Sequence, residues 1–354
     1  MTFDNEKMFE EAVIQLLKQR GWGEVIESPT KEDLIENWAK ILFENNRGID
    51  RLNGEPLTKS EMSQIIDQIN YLKTPVKLNR FINGKTVSIR RDNPDDEQHF
   101  GKDVSLKIYD RNEIAAGHSR YQIARQPQFD GEGLFNNRRG DLMLLINGMP
   151  VIHIELKRSG IPVSHATQQI SKYLNERIFS GIYSLVQVFV AMTPEETLYF
   201  ANPGESTKPN SSYFFNWADF NNEPVNKWNE VITKLLSIPM AHQLIGFYTI
   251  PDNSDGVLKV LRSYQVHAAS AITARTAKVD WSVQNKRGGY IWHTTGSGKT
   301  LTSFKSAELI SQTDFADKVV FLVDRIELGT QSFNVYQSLA EHEGDVQQTE
   351  NTGV

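Results

Sequence analysis

Asp141, Glu155 and Lys157 sit at the two ends of one stretch, Gly140 to Lys157, in which apolar runs rich in Leu, Ile and Val flank an Asn147-Gly148 pair. Two carboxylates can hold a hard cation such as Mg²⁺ that keeps several waters, and one of those waters can be activated against a phosphodiester. An adjacent ammonium can orient that water or neutralise charge developing on the phosphate. The plain alternative is a strand end where charged residues reach solvent. Asn-Gly between apolar runs is a strong hairpin signal. Glu155 and Lys157 are two apart and share a strand face, with Ile154 and Leu156 on the other. Where Asp141 points depends on the turn. A two-residue turn pairs 146 with 149 and 141 with 154, which puts Asp141 and Glu155 on opposite faces. A three-residue loop with Gly148 left-handed in a bulge pairs 145 with 149, and then 141, 153, 155 and 157 share a face. Pro150 has no donor and suits a perturbed ladder, so the bulged loop is expected.

A second chemical signal lies at His293-Thr294-Thr295-Gly296-Ser297-Gly298-Lys299-Thr300. Gly296 and Gly298 let backbone N–H groups close around phosphate oxygens at the positive end of a following helix. Lys299 would reach the β/γ-phosphates, and Thr300 would hold Mg²⁺. The context is right: a short strand Tyr290–Trp292, the loop, a helix to about 312, then a strand Val319–Val323. His293 stands where the general pattern has its first Gly. A chance Gly-Lys-Thr in a loop is the bland alternative.

The elements that must position these groups follow from periodicity. Asp4 or Asn5 caps a first helix with Phe9, Ala12, Val13, Leu16 and Leu17 on one stripe, ended by Gly21. Glu10 borders that stripe, and periodicity alone reads it as a flanking solvated charge. Helices are expected at about 31–45 and 60–73. Val76 to Ile89 reads as a hairpin turning at Asn83-Gly84, with strands at 103–110 and 120–129 and a loop over 130–140. After Lys157, Pro162 and Ser164 introduce a helix with Ala166, Ile170, Tyr173, Leu174 and Ile178 on its apolar stripe. Gln169 falls inside that stripe, so its amide needs a partner. It makes either a structural hydrogen bond or a Gln/Tyr pair facing the active site. Strands at 184–192 and 196–201, a loop over 202–212 with Lys208 exposed, and a helix over 224–237 complete this half. Pro251 to Gly256 is a dense run of turn formers and the best linker candidate.

At 354 residues the chain has room for two or three domains. With 38 Lys+Arg against 44 Asp+Glu, the net charge of −6 is not that of a globally basic nucleic-acid binder. Arg90-Arg91, Arg138-Arg139 and Lys157-Arg158 are the basic footholds, so any DNA path is narrow. Zero cysteines exclude disulfides and thiolate metal sites and fit a reducing cytoplasm. No signal peptide or membrane-spanning run is visible, so no membrane partner is expected.

A two-carboxylate motif followed by a phosphate loop resembles the restriction (R) subunit of Type I restriction-modification enzymes. That resemblance implies an α/β architecture: a PD-(D/E)xK-type nuclease domain over 1–255, a mixed sheet flanked by helices, then the start of a RecA-like P-loop motor domain over 256–354. Asp141, Glu155 and Lys157 fall on the nuclease triad, and Gln169 and Tyr173 on the Gln-x-x-x-Tyr motif that follows it. Glu10, in Phe-Glu-Glu-Ala, is similar to the helical acid of many such nucleases. Arg262-Ser-Tyr264-Gln265 looks like an adenine-reading element, and the His-Thr-Thr-Gly-Ser-Gly-Lys-Thr loop is the family's own form. Asp324-Arg325 to Gln331 resembles the next motor motif, against the simpler reading of an aspartate capping a helix. The implied cofactors are Mg²⁺ and ATP, with S-adenosylmethionine needed by the assembled complex rather than bound here. The implied partners are double-stranded DNA and the modification (M) and specificity (S) subunits, the latter through a C-terminal part absent from this sequence. The family's Asp-Glu box has not appeared by Val354, so an N-terminal piece without ATP hydrolysis is expected. Residues 257–354, lacking most of a parallel sheet, are expected to fold weakly. Rival readings are a nuclease-helicase of the DNA-repair type and a non-catalytic docking module.

Overall fold

The computed structural model describes residues 2–114, 119–129, 138–204, 209–280, 282–284, 287–342 and 344–349. The chain divides into two compact units. The first comprises Met1–Trp217, Pro224–Pro251 and Val257–Val260, and the second Ala218–Glu223, Asp252–Gly256 and Leu261–Val354.

The first unit is built on a mixed sheet of six strands in sequential order. These are β1 (Val25–Glu27), β2 (Tyr121–Arg125), β3 (Leu142–Ile146), β4 (Met149–Leu156), β5 (Val188–Met192) and β6 (Thr197–Ala201). β1/β2 and β4/β5 run parallel; β2/β3, β3/β4 and β5/β6 run antiparallel. Every residue of β3, β4 and β5 is buried. That is why these segments read as continuous apolar runs rather than as alternation: both faces of the sheet are covered.

Helices α1 (Glu6–Gln19), α2 (Lys31–Asn46) and α3 (Lys59–Leu72) begin where the sequence places their caps. Asn5 accepts from the Met8 N–H, while Thr30/Asp33 and Thr58/Glu61 form reciprocal capping boxes. The hairpin expected over 76–89 is wrong. Pro75–Asn83 is helix α4, capped by Thr74 with Pro75 in its first turn. Thr-Pro is a helix-start signal, and the buried positions Pro75, Leu78, Asn79 and Ile82 follow helical spacing. Only Thr86–Arg90 is strand, paired with Asp103–Lys107. Helix α5 (Val163–Asn175) packs on β4 and β5. The expected strand over 184–192 opens as a 3-10 turn, Gly181–Leu185. The helix expected over 224–237 is shorter, α6 (Trp228–Lys234), and α7 (Met240–Gly246) follows it. The turn formers of 251–256, expected as a linker, form the tip of a hairpin in which Thr249–Pro251 pairs antiparallel with Leu258–Val260, and the division between the two units falls at this segment. Lys208 and most of the loop over 130–140 lie outside the described residues.

In the second unit α8 (Ser263–Thr276), α9 (Lys299–Ser311) and α10 (Ile326–Leu339) form. The strands expected at Tyr290–Trp292 and Val319–Val323 do not: both segments are unpaired, with Trp292 87% and Leu322 90% exposed. Apolar runs of this type become buried strands only when neighbours flank them on both sides. Among the described residues, no helix is long and apolar enough to cross a membrane.

Candidate active site

The β3–β4 hairpin fixes which side chains meet, and it does so by a different device from the expected one. Asn147 and Gly148 have φ of 52° and 84°, a two-residue turn with Ile146 opposite Met149 and Leu145 opposite Pro150. The register then slips, Leu144 facing Ile152 and Leu142 facing Ile154, so Val151 is an extra residue in β4. One step further along this ladder sets Asp141 across from Glu155. The bulge lies in the strand rather than in the loop, and Asp141 faces Glu155 rather than His153. The consequence for the face is the one expected: Asp141, His153, Glu155 and Lys157 share it. The turn is pinned from outside, since Asn147 exchanges N–H···O bonds of 2.8 Å with Arg120 and its amide donates to Ile108 O at 3.1 Å. A Cβ on Gly148 would lie 2.8 Å from the Trp38 Cα.

Asp141 Oδ2 accepts the Leu156 N–H at 2.7 Å. Lys157 Nζ donates to Glu155 Oε1 at 3.2 Å and to Leu156 O at 2.8 Å, with Glu6 Oε1 3.7 Å away. Burial, then the Glu155 charge, holds the Asp141 carboxyl well above the usual aspartate range, against the Leu156 N–H and Lys157. Burial pushes Glu155 up to about 7, with Lys157 and the hydrogen bond to Asp141 pulling the other way. Burial also disfavours the Lys157 ammonium, but the carboxylates of Glu155, Asp141 and Glu6 outweigh it and its pKa lies above the usual lysine value. His153 is fully buried and held down to about 4 by that burial, Asp141 opposing. Glu155 Oε2 is buried without a hydrogen-bond partner.

Gln169 and Tyr173 come to this face of the domain as a pair. Gln169 Nε2 donates to the Tyr173 hydroxyl at 2.7 Å, and that hydroxyl donates to Arg139 O at 2.8 Å. The Tyr173 phenol is raised by burial first and then by the charges of Glu155 and Asp141, so its OH stands in their field. Glu10 is not the solvated charge that periodicity suggests. It is buried, paired with Arg125 and bonded by Gln126 Nε2 at 3.2 Å, while the Gln126 backbone N–H reaches Asp141 O at 2.8 Å. Among the described acids of α1, Glu6 is the one recorded against Lys157. Glu6 is the group sequence reasoning missed, while position 153 was placed on this face without a role being given to its imidazole. Glu6 is one turn before Glu10, so helical spacing could have found it. One basic foothold is halved: Arg91 is fully buried between Glu61 at 2.7 Å and Asp96 at 2.9 Å, while Arg90 is exposed. Arg138 is held by two bonds of 3.1 Å to Glu176.

In the second unit the glycine loop leads into a helix as expected, without the strands expected on either side. Gly296 and Gly298 sit at φ of 77° and 78°, and Gly298 caps α9, which starts at Lys299 and Thr300. The Lys299 ammonium donates to Thr294 O at 3.0 Å, and Ser297 Oγ to the same carbonyl at 2.7 Å; Thr295 is exposed. The segment of Arg262, Tyr264 and Gln265 is brought to the loop: Tyr264 OH donates to Ser297 O at 2.8 Å, and Gln265 Oε1 accepts the Arg262 N–H at 3.0 Å. A Cβ on Gly298 would lie 2.5 Å from Gln265 Nε2. Asp324 and Arg325 are exposed, Arg325 occupying the cap of α10.

Residues 3–208 match the family described as Type I restriction enzyme R protein N terminus, which spans the whole Asp141–Tyr173 constellation. The chain belongs to that family. Residues 264–353 match the SWI2/SNF2 ATPase family, from Tyr264 through the phosphate loop. A Type I restriction enzyme endonuclease subunit from Staphylococcus saprophyticus is 33% identical over 353 residues, covering 99% of this chain and 35% of that protein. One from Staphylococcus aureus strain COL is 31% identical over 352 residues, with the same coverages. One from Escherichia coli is 27% identical over 187 residues, or 52% of this chain and 56% of that protein. The chain therefore spans about a third of the length of its staphylococcal R-subunit relatives.

The donor set of the R-family centre fits a divalent cation. Two carboxylates in contact, both with proton affinity raised by burial, have among the described residues one adjacent ammonium to balance them, and one of their oxygens is buried without a partner. Among the described residues, no group of three His, Cys, Asp or Glu side chains is arranged to hold an ion. An ion here would rest on two carboxylates and water, which suits Mg²⁺ rather than Zn²⁺.

Proposed function

We propose that this chain carries the DNA-cutting centre of a Type I restriction endonuclease, a PD-(D/E)xK-type nuclease domain hydrolysing phosphodiesters of duplex DNA with Mg²⁺. The observation that carries the reading is the bulge at Val151, which turns Asp141 onto the face of Glu155 and Lys157. Asp141 and Glu155 would hold the cation. When bound, it lowers the pKa of water and offsets charge on the phosphate. Asp141 is oriented for this by the Leu156 N–H. Glu155 would share the cation with Asp141, and the cation's charge would keep the Glu155 carboxyl ionised against the burial that raises its pKa. Lys157, kept charged by three carboxylates, stands against the developing negative charge. Tyr173 and Gln169 would brace the centre from α5, their hydroxyl and amide tied to each other and to Arg139 O.

The loop 294–300, with Arg262, Tyr264 and Gln265, belongs on this reading to an ATP-driven, superfamily 2 translocase acting in the longer protein, Thr300 serving its Mg²⁺. The complex would include modification and specificity subunits, work in the cytoplasm, and owe its S-adenosylmethionine dependence to those partners. Calorimetry tests the centre: Mg²⁺ or Mn²⁺ binding is expected for the chain and expected to be lost in Asp141→Ala. Unchanged binding would favour a docking module with a structural acidic cluster.

A further inference from the structure

The imidazole of His153 lies inside this centre, yet the scheme above gives it no task. It is fully buried, shares a strand face with Glu155, and neither ring nitrogen has a hydrogen-bond partner. Glu155 Oε2 is equally buried and equally unpartnered, and Nε2 stands 3.4 Å from Oε2, close by but short of hydrogen-bond geometry. Buried polar atoms are rarely left in this condition, because each has given up water for nothing. Nor is the ring free to look elsewhere. It meets Phe179, Phe189, Tyr173 and Phe129 edge-on, with centroids 5.3, 6.0, 6.2 and 6.4 Å away. Behind it a Cβ on Gly140 would fall 2.8 Å from Cε1, so glycine at 140 is what makes room for the imidazole. Direct metal ligation is disfavoured, since His153, Asp141 and Glu155 do not converge as a ligand group among the described residues.

We propose that His153 is a positioning residue, whose Nε2–H donates to Glu155 Oε2 and fixes the rotation of that carboxylate. The inference rests on the metal-nuclease reading of the centre. A carboxylate offers about four lone-pair sites on two oxygens, so one donor from His153 leaves acceptor capacity for the ion shared with Asp141. Opposite an ionised Glu155, the other tautomer, with Nε2 bare, would set lone pair against lone pair across the same gap. Groups that hold a ligating side chain in place typically change metal affinity about 10–100-fold when removed.

The test is calorimetric Mg²⁺ titration of the 354-residue chain as wild type, His153→Leu, His153→Gln and Asp141→Ala. His153→Leu, which fills the space without a donor, is expected to weaken binding about tenfold or more. His153→Gln keeps an N–H of similar reach and is expected to return affinity toward wild type, a rescue that a purely space-filling role would not show. Wild-type affinity in His153→Leu, or no rescue by His153→Gln, overturns the proposal. Should His153→Leu fail to fold, ¹⁵N spectra of the wild-type imidazole at about pH 8, where Glu155 is ionised, decide instead. An Nε2–H tautomer is expected, and an Nδ1–H tautomer overturns the contact. If wild type and Asp141→Ala take up Mg²⁺ equally, the metal reading falls separately, and the tautomer still decides the His153–Glu155 contact.

Discussion

The two chemical motifs of this chain are equally plain as sequence but sit in very different surroundings. Around Asp141 and Glu155 six strands pair in order and the three central ones are buried on both faces. Around Lys299 the glycine turn and its helix form, while Tyr290–Trp292 and Val319–Val323 stay unpaired and largely exposed. A phosphate loop is a local device, made by two glycines and one helix N-terminus, and needs few distant residues to take shape. A paired-carboxylate centre is a register device and exists only if two strands meet at the correct offset.

The comparison is most directly broken by hydrogen exchange. Local opening free energies run from near zero up to the global stability, so amides of β3, β4 and β5 are expected to exchange orders of magnitude more slowly than those of 288–293 and 317–324. Limited proteolysis should begin in the same two segments. Equal protection there would mean that the unpaired runs are held by something other than strand pairing.

On the proposed function, the next largest effect is the loss of DNA cutting on Asp141→Ala in the longer protein that carries this chain, expected to exceed the roughly 10–100-fold typical of supporting groups. A nucleotide probe should still bind the loop as in wild type. Loss of both would show that the two motifs are coupled through folding rather than separately built.

Gly148→Ala sharpens the register argument. It places a Cβ 2.8 Å from the Trp38 Cα at a φ of 84°, which should cost the first unit roughly 1–3 kcal/mol in a denaturant titration and leave the helicity of α8–α10 unaltered. How little of this was legible in the sequence is instructive. The Asn-Gly turn was readable from its flanking apolar runs, whereas the shared face of Asp141 and Glu155 was expected from a bulged loop and is produced instead by a bulge within the strand. The bulge at Val151 was not located, because an extra residue in a strand buried on both faces breaks no in-out alternation, although Pro150 beside it marked a perturbed ladder. Helix α4 was missed because Val76 and Leu78 also fit alternation, although Thr74-Pro75 carried the deciding signal. Glu10 was misread because its burial depends on Arg125, more than a hundred residues away. The strands flanking the phosphate loop were over-read, since apolar runs state a capacity to pair and not the presence of partners.

A smaller effect is expected from pH. Glu155 is raised from 4.5 to about 7, so the folded state holds its proton more tightly than the unfolded state does. That contribution to stability is complete below about 4.5 and lost as pH rises through about 7. Thermal melts should show the first unit losing stability across that window by more in wild type than in Glu155→Gln. Added Mg²⁺ should restore it above the window, as a ligand of the folded state does. Identical pH profiles in the two proteins would remove Glu155 from the account.

The smallest expected effect is none at all, and it bears on the other half of the comparison. ATP turnover by the 354-residue chain is expected not to rise above that of Lys299→Ala. In the described structure the Lys299 ammonium is engaged by Thr294 O at 3.0 Å, and the segments before the loop and after α9 that should brace it as strands are unpaired. Phosphate transfer depends on holding the attacking water, the metal and the γ-phosphate in line, which a loop of the right shape without a supporting sheet does not do. Turnover above the Lys299→Ala control would mean that the local geometry of 294–300 suffices, and the distinction between a local device and a register device would lose its force for this chain.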